Sequence, residues 1–162
     1  MEERFLPIGI QDFEDLRNRK CVYVDKTAFI YKLVREGKPY FLSRPRRFGK
    51  SLLLSTMEYY FLGKKELFHG LAIENLEKDW TEYPVIKISF GADNYPDSGS
   101  LKSAINFMLS KYEKKYEVPV DDMRSAPRLN DLITTAYEKT GKQVVTFRFQ
   151  DAVGIVERSV YL

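Results

Sequence analysis

The passage Phe41-Leu42-Ser43-Arg44-Pro45-Arg46-Arg47-Phe48-Gly49-Lys50-Ser51 constrains this chain more than any other part of it. Pro39 to Ser43 is short and apolar, which suits a buried strand. Arg44 to Phe48 is a basic turn. Gly49 then opens a strongly apolar helix from Lys50 to about Leu62, with Leu53, Met57, Tyr60 and Phe61 on one face, and Gly63 closes it. A strand, a turn and a helix that starts at Gly-Lys-Ser form the setting a phosphate-binding loop requires. Glycine lets the backbone approach phosphate oxygens where a side chain would collide. The first amides of the helix point at the anion, and the helix dipole favours its negative charge. In that setting Lys50 reaches the β- and γ-phosphates of a nucleotide, and the Ser51 hydroxyl coordinates magnesium.

The general form of such a loop has an earlier glycine, which would fall at position 44, where this chain has Arg44. Pro45 stiffens the turn and removes one amide from the cradle. Gly-Lys-Ser triplets also arise by chance, and an apolar helix behind one is usually core. The strand before it and the helix after it favour the functional reading. Arg44, Arg46, Arg47 and Lys50 place four cations within seven residues at the mouth of the expected anion site. A basic turn is often only solvated surface, but arginine forks match phosphate oxygens, so at least one is expected on the nucleotide. The other use of the cluster is contact with a nucleic-acid backbone, for which one short run without aromatic stacking partners is thin support.

The remaining segments predict the frame around this loop. Phe5-Leu6-Pro7-Ile8-Gly9-Ile10 mixes apolar residues with Pro and Gly and reads as an irregular entry that packs on the core. Cys21 to Val24 alternates toward a short strand, and Asp25 is placed to cap the next helix. That helix carries Phe29, Ile30, Leu33 and Val34 on one face and stops at Gly37. Lys64 to Tyr83 is polar with weak periodicity, which predicts short helical turns and loops. Val85 to Phe90 is a clear strand, and Gly91 to Gly99 is a loop by composition. Leu101, Ile105, Met108, Leu109 and Tyr112 mark one amphipathic helix. Leu129, Leu132, Ile133, Ala136 and Tyr137 mark another, ended by Gly141, and Gln143 to Phe149 reads as a strand. Strands alternating with helices predict an α/β domain with a mainly parallel sheet flanked by helices.

Bulk properties narrow the class. A length of 162 residues fits one domain, and 44 % apolar residues with 11 Tyr and 11 Phe argue against disorder. A net charge of +3 is too weak to imply nucleic acid or an anionic membrane by itself. A single cysteine, Cys21, excludes an internal disulfide, and Cys21 and His69 offer no zinc spacing. The first residues lack the apolar run of a signal peptide, and no stretch approaches the about 20 apolar residues of a membrane helix. A soluble cytoplasmic protein without a membrane partner is expected.

Three runs together carry a likeness: Leu6-Pro7-Ile8-Gly9, Tyr23-Val24-Asp25-Lys26-Thr27 and Arg44-Pro45-Arg46-Arg47-Phe48-Gly49-Lys50-Ser51-Leu52. They resemble the AAA-ATPase-like domain family, whose layout Gly63-Lys64-Lys65-Glu66-Leu67-Phe68 and Tyr83-Pro84-Val85-Ile86 also fit. The resemblance covers about residues 5 to 145, and the arginine-rich loop is its most specific mark. Arg44 thus departs from the generic loop and not from this family. The resemblance implies a P-loop NTPase-like fold that takes ATP and Mg2+. It puts Arg44, Arg46, Arg47, Phe48, Gly49, Lys50, Ser51 and Leu52 on the nucleotide, with Lys50 also catalytic and Ser51 on the metal. Family members typically carry a restriction-endonuclease-like nuclease domain near the C-terminus. Nucleic acid or such a domain is therefore the implied partner in full-length relatives. The choice of adenine rests on the resemblance alone.

A working P-loop ATPase also needs an apolar strand that ends in an acidic residue, which holds the magnesium shell. The family would place an Asp-Glu-Tyr-Asp-like run after Gly141-Lys142-Gln143-Val144-Val145, where this chain has Thr146-Phe147-Arg148-Phe149-Gln150-Asp151. Asp151 has no acidic neighbour, and Asp93 is a second weak candidate, since a loop aspartate is usually a turn former. Ala152 to Leu162 does not match the family, so the expected division is 1–150 as the P-loop domain and 151–162 as a divergent tail. An incomplete, truncated member is expected, with an open sheet edge that favours self-association and with binding favoured over hydrolysis. If the reading frame shifts near residue 145, another frame of the gene encodes an Asp-Glu-Tyr-Asp-like run; its absence from every frame would exclude a frameshift.

Overall fold

The computed structural model describes residues 5–43, 45, 48–90, 97–118, 128–150 and 153–159. Within them one sheet forms from β1 (Tyr40–Ser43), β2 (Val85–Ser89), β3 (Val144–Gln150) and β4 (Val153–Ser159), in the order β1-β4-β3-β2. The helices are α1 (Phe13–Asn18), α2 (Thr27–Glu36), α3 (Lys50–Phe61), α4 (Ala72–Leu76), α5 (Ser98–Tyr116) and α6 (Arg128–Thr140). A 3-10 turn, Lys65–Phe68, joins α3 to α4.

The chain is α/β, but the sheet is mixed and not mainly parallel. β2 pairs in parallel with β3, whereas β4 runs antiparallel to both β3 and β1. Only two residues separate β3 from β4, enough for a hairpin and far too few for the crossover that a parallel neighbour requires. β1, β2 and β3 still run in one direction, because β4 opposes two of them and β2 follows β3. Their C-terminal ends consequently share one edge of the sheet. Ser43 and Gln150 both stand opposite Val153 there, and Ser89 stands opposite Phe149.

Strand alternation divides the core between two faces. Val85, Val145, Phe147 and Val156 face Leu54, Met57 and Phe61 of α3, backed by Phe13 and Phe68. Ile86, Ile88 and Val144 face Leu109 of α5 and Leu132, Ile133 and Ala136 of α6. Each fully buried aliphatic or aromatic side chain contributes about 1.5–3 kcal/mol from leaving water. A buried fork pins α6 to α5: Arg128 donates from Nε and Nη2 to the two Glu113 carboxylate oxygens at 2.8 and 2.7 Å. Bidentate pairing satisfies both oxygens of a carboxylate held out of water, which is what makes its burial tolerable.

Four local expectations need correction. Among the described residues, Cys21 to Val24 makes only an isolated bridge, between Cys21 and Phe5. β1 is half-buried and not fully buried: it is an edge strand, with Phe41 68 % exposed. Phe29 is exposed, and the buried face of α2 is Thr27, Ile30 and Val34. α1 was not anticipated by periodicity; Asp12 caps it by accepting from the Asp15 amide at 3.0 Å, with Glu14 and Asp15 favouring its positive end.

Asp25 does more than the single cap expected of it. Its Oδ1 accepts from the Thr27 amide at 2.8 Å and the Thr27 hydroxyl at 2.6 Å, and its Oδ2 accepts from the Ala72 amide at 2.7 Å. Thr27 Oγ1, fully buried, in turn accepts from the Ile73 amide at 3.1 Å. One Asp-x-Thr pair therefore satisfies the starts of both α2 and α4. Partial burial raises the Asp25 pKa, but the hydrogen bonds from Thr27 and Ala72 outweigh it and hold the carboxyl below its usual range. A depressed carboxyl contributes stability that is present above its unfolded pKa of about 3.9 and is lost as pH falls through the folded value. Asp25→Ala is expected to lower stability by about 1 kcal/mol at pH 7, the usual cost of a lost cap. Urea unfolding at falling pH should show the gap between the two proteins closing below about pH 4.

Candidate functional site

The sequence places its chemistry at the join between β1 and α3, and both elements stand where expected. Gly49 holds the N-cap position of α3 with φ 70° and ψ 18°, a left-handed conformation that glycine adopts without strain. It brings no capping side chain, and a Cβ built on it would meet nothing within 4 Å, so the space over its Cα is open. The first intrahelical bond runs from the Leu53 amide to the Gly49 carbonyl at 3.0 Å. The amides of Lys50, Ser51 and Leu52 precede it, in the first turn of the helix. Before the helix, the Phe48 amide donates to the Pro45 carbonyl at 3.4 Å.

The expected site residues divide as follows. Phe48 is 64 % exposed, Gly49 and Ser51 are exposed, and Lys50 and Leu52 are half-buried. Arg44, Arg46 and Arg47 lie outside the described residues, as do Asp93 and Asp151. β3 ends at Gln150 in the same cross-strand row as Ser43, the last residue before the loop. Arg148 stands on β3 opposite Ile88 and Ile155. Among the described residues no group of three His, Cys, Asp or Glu is arranged to hold a metal ion. None of their helices is long and apolar enough to cross a membrane.

Beside Gly49 lies a feature that sequence reasoning missed. A cleft of about 170 Å3 is lined by Pro7, Leu16, Val22, Tyr23, Val24, Lys26, Phe48, Gly49, Leu52 and Leu53. Its far wall is the extended stretch after Cys21. Tyr23 turns inward, with its hydroxyl 3.4 Å from Thr56 Oγ1 on α3, while Val22 and Val24 remain exposed. Burial raises the Tyr23 pKa, so the phenol is neutral and the wall carries no anion there. The available signal was the alternation itself: outward positions that are both valine mark an apolar surface, which is unusual for a solvated edge.

Comparison with known proteins agrees with this frame. A family model described as predicted AAA-ATPase matches residues 7–147. The chain belongs to the AAA-ATPase-like family. A protein of Azotobacter chroococcum mcd 1, described as "Uncharacterized protein in vnfD 5'region", is 40 % identical over 147 residues. That stretch is 90 % of this chain and 28 % of the Azotobacter protein, so the chain spans under a third of that relative. No solved structure matches. As an AAA-ATPase-like chain it brings the three runs that mark the resemblance to one place: Pro7, then Tyr23, Val24 and Lys26, then Phe48, Gly49 and Leu52 all line the same cleft.

Proposed function

We propose that this AAA-ATPase-like chain binds a nucleoside triphosphate, ATP by family, together with magnesium at the start of α3. One observation supports the reading above others: α3 opens on a left-handed glycine six residues after β1, a strand that ends at the same sheet edge as the codirectional β2 and β3. Open α/β sheets take their ligands outside the carboxyl ends of such strands. The residues fit the group. Gly49 leaves room for phosphate oxygens to approach the backbone, and the first amides of α3 would donate to them. The Lys50 ammonium would add charge, and the Ser51 hydroxyl would hold magnesium, which would supply charge neutralisation at the phosphates. In the sequence, Arg44, Arg46 and Arg47 add forked donors of a kind suited to phosphate.

Binding without turnover is the function proposed. The run Thr146-Phe147-Arg148-Phe149-Gln150, which approaches the loop edge, contains no carboxylate to hold the magnesium shell or orient water. Titration of Mg-ATP into the purified chain should give saturable binding. Lys50→Ala should weaken it by roughly 10- to 100-fold, the loss of a charged hydrogen bond worth about 1.5–3 kcal/mol. A folded wild-type chain that does not bind, or a variant that binds equally, would contradict the assignment.

A further inference from the structure

We infer that the outward face of α5 is a binding surface for single-stranded nucleic acid, separate from the nucleotide site proposed at α3. The rotation of the helix about its axis is the first support. Leu109, Glu113 and Tyr116 are its buried residues. At about 100° per residue, Phe107 falls on the far side of the helix from Leu109, and it is 65 % exposed. Phe107, Lys111 and Lys114 follow the i, i+4, i+7 spacing of one stripe, with Lys115 beside it and Lys102 toward the other end. All four lysines are exposed.

Charge is the second support. Between Ser98 and Tyr116 the sequence holds one carboxylate, Glu113, and it is buried in the fork with Arg128. Glu117, just beyond, accepts from Lys139 at 2.5 Å. Among the described residues no carboxylate forms an ion pair with Lys102, Lys111, Lys114 or Lys115. The helix dipole favours Lys114 and Lys115 in the last turn, but it gives no reason for Lys102 or Lys111. Neighbouring α6 differs, exposing Asp131 and Glu138 together with Lys139. A face with four cations and no exposed acid complements a polyanion, although the whole chain carries only +3.

Phe107 decides which polyanion fits. Lys111 Nζ lies 4.7 Å from its ring centroid, so the ring stands on the surface among cations. An exposed ring bordered by lysines holds a single strand in two ways: an unpaired base stacks on the ring, and the ammonium groups meet the phosphates. Bases in a duplex are already stacked on each other, so a duplex gains only the charge. A membrane surface calls for an apolar stripe to bury, and Phe107 is the one large apolar side chain that α5 exposes.

Fluorescence anisotropy with a labelled oligothymidylate of about 12 nucleotides, within the usual range of single-strand site sizes, tests this on the full chain. Saturable binding is expected, about tenfold tighter than to a duplex of the same length. At about 0.7 per neutralised phosphate on a single strand, four lysines predict that log K falls with log salt at a slope of about −2.8. Lys111→Gln with Lys114→Gln should reduce that slope by about 1.4. Phe107→Ala should weaken binding about tenfold and leave the slope unchanged. These positions are exposed and distant in sequence from Gly49 to Leu52, so Mg-ATP binding should be the same in both variants as in the wild-type chain. No binding by the folded chain, equal affinity for the duplex, or binding that neither variant changes would overturn the inference. Tighter binding to phosphatidylserine vesicles, weakened by the same substitutions, would assign the face to a membrane and overturn it as well.

Discussion

Helix α3 is the element on which the rest of the molecule is assembled, and the polar residues on its buried side explain how. Its apolar face lies on the sheet, where Phe61 meets Phe147 edge-on with ring centroids 6.1 Å apart. Its other flank carries Ser55, Thr56 and Tyr59, polar groups that burial would penalise unless paired. Ser55 Oγ accepts from the Phe13 amide at 2.9 Å and donates to Asp12 at 3.0 Å, Thr56 meets Tyr23, and Tyr59 donates to Glu14 at 3.1 Å. These bonds fix the N-terminal segment against α3 at a defined height. Because that segment supplies the far wall of the cleft, the same bonds set the distance between wall and helix start.

The sheet imposes the second constraint. β4 lies between β1 and β3, so the strand before the loop and the strand that would approach the acidic site are not neighbours. They nonetheless end in one row, because an intervening antiparallel strand restores the direction of its neighbours. The shared strand direction is compatible with the phosphate site proposed above, and β3 from Val144 to Gln150 carries no carboxylate.

How much of this could be read in the sequence varied with the range of the forces involved. β1, Gly49 and α3 were legible because a glycine-led helix start and a 3.6-residue apolar period are local signals. Gly37 and Gly141 marked helix ends for the same reason, and both have positive φ. β4 was not legible, since its place is decided by hairpin pairing with β3 and by a tertiary contact that no local pattern announces. Arg158 points to the core side, where its guanidinium lies 4.7 Å from the Tyr83 ring centroid and 5.5 Å from that of Phe61. Aromatic faces make an inward cation tolerable there, so a strand with arginine among its inward residues still packs. The cleft was half-legible. Alternation from Cys21 to Val24 suggested a short strand, whereas the stretch makes only an isolated bridge and its valines border an open space.

Amide chemical shifts in a ¹⁵N-labelled chain titrated with Mg-ATP test the central claim most directly, because they locate the ligand residue by residue. The largest perturbations should fall on the amides of Gly49, Lys50, Ser51 and Leu52. Shifts concentrated elsewhere in the folded chain, with the α3 start unmoved at saturation, would contradict the account.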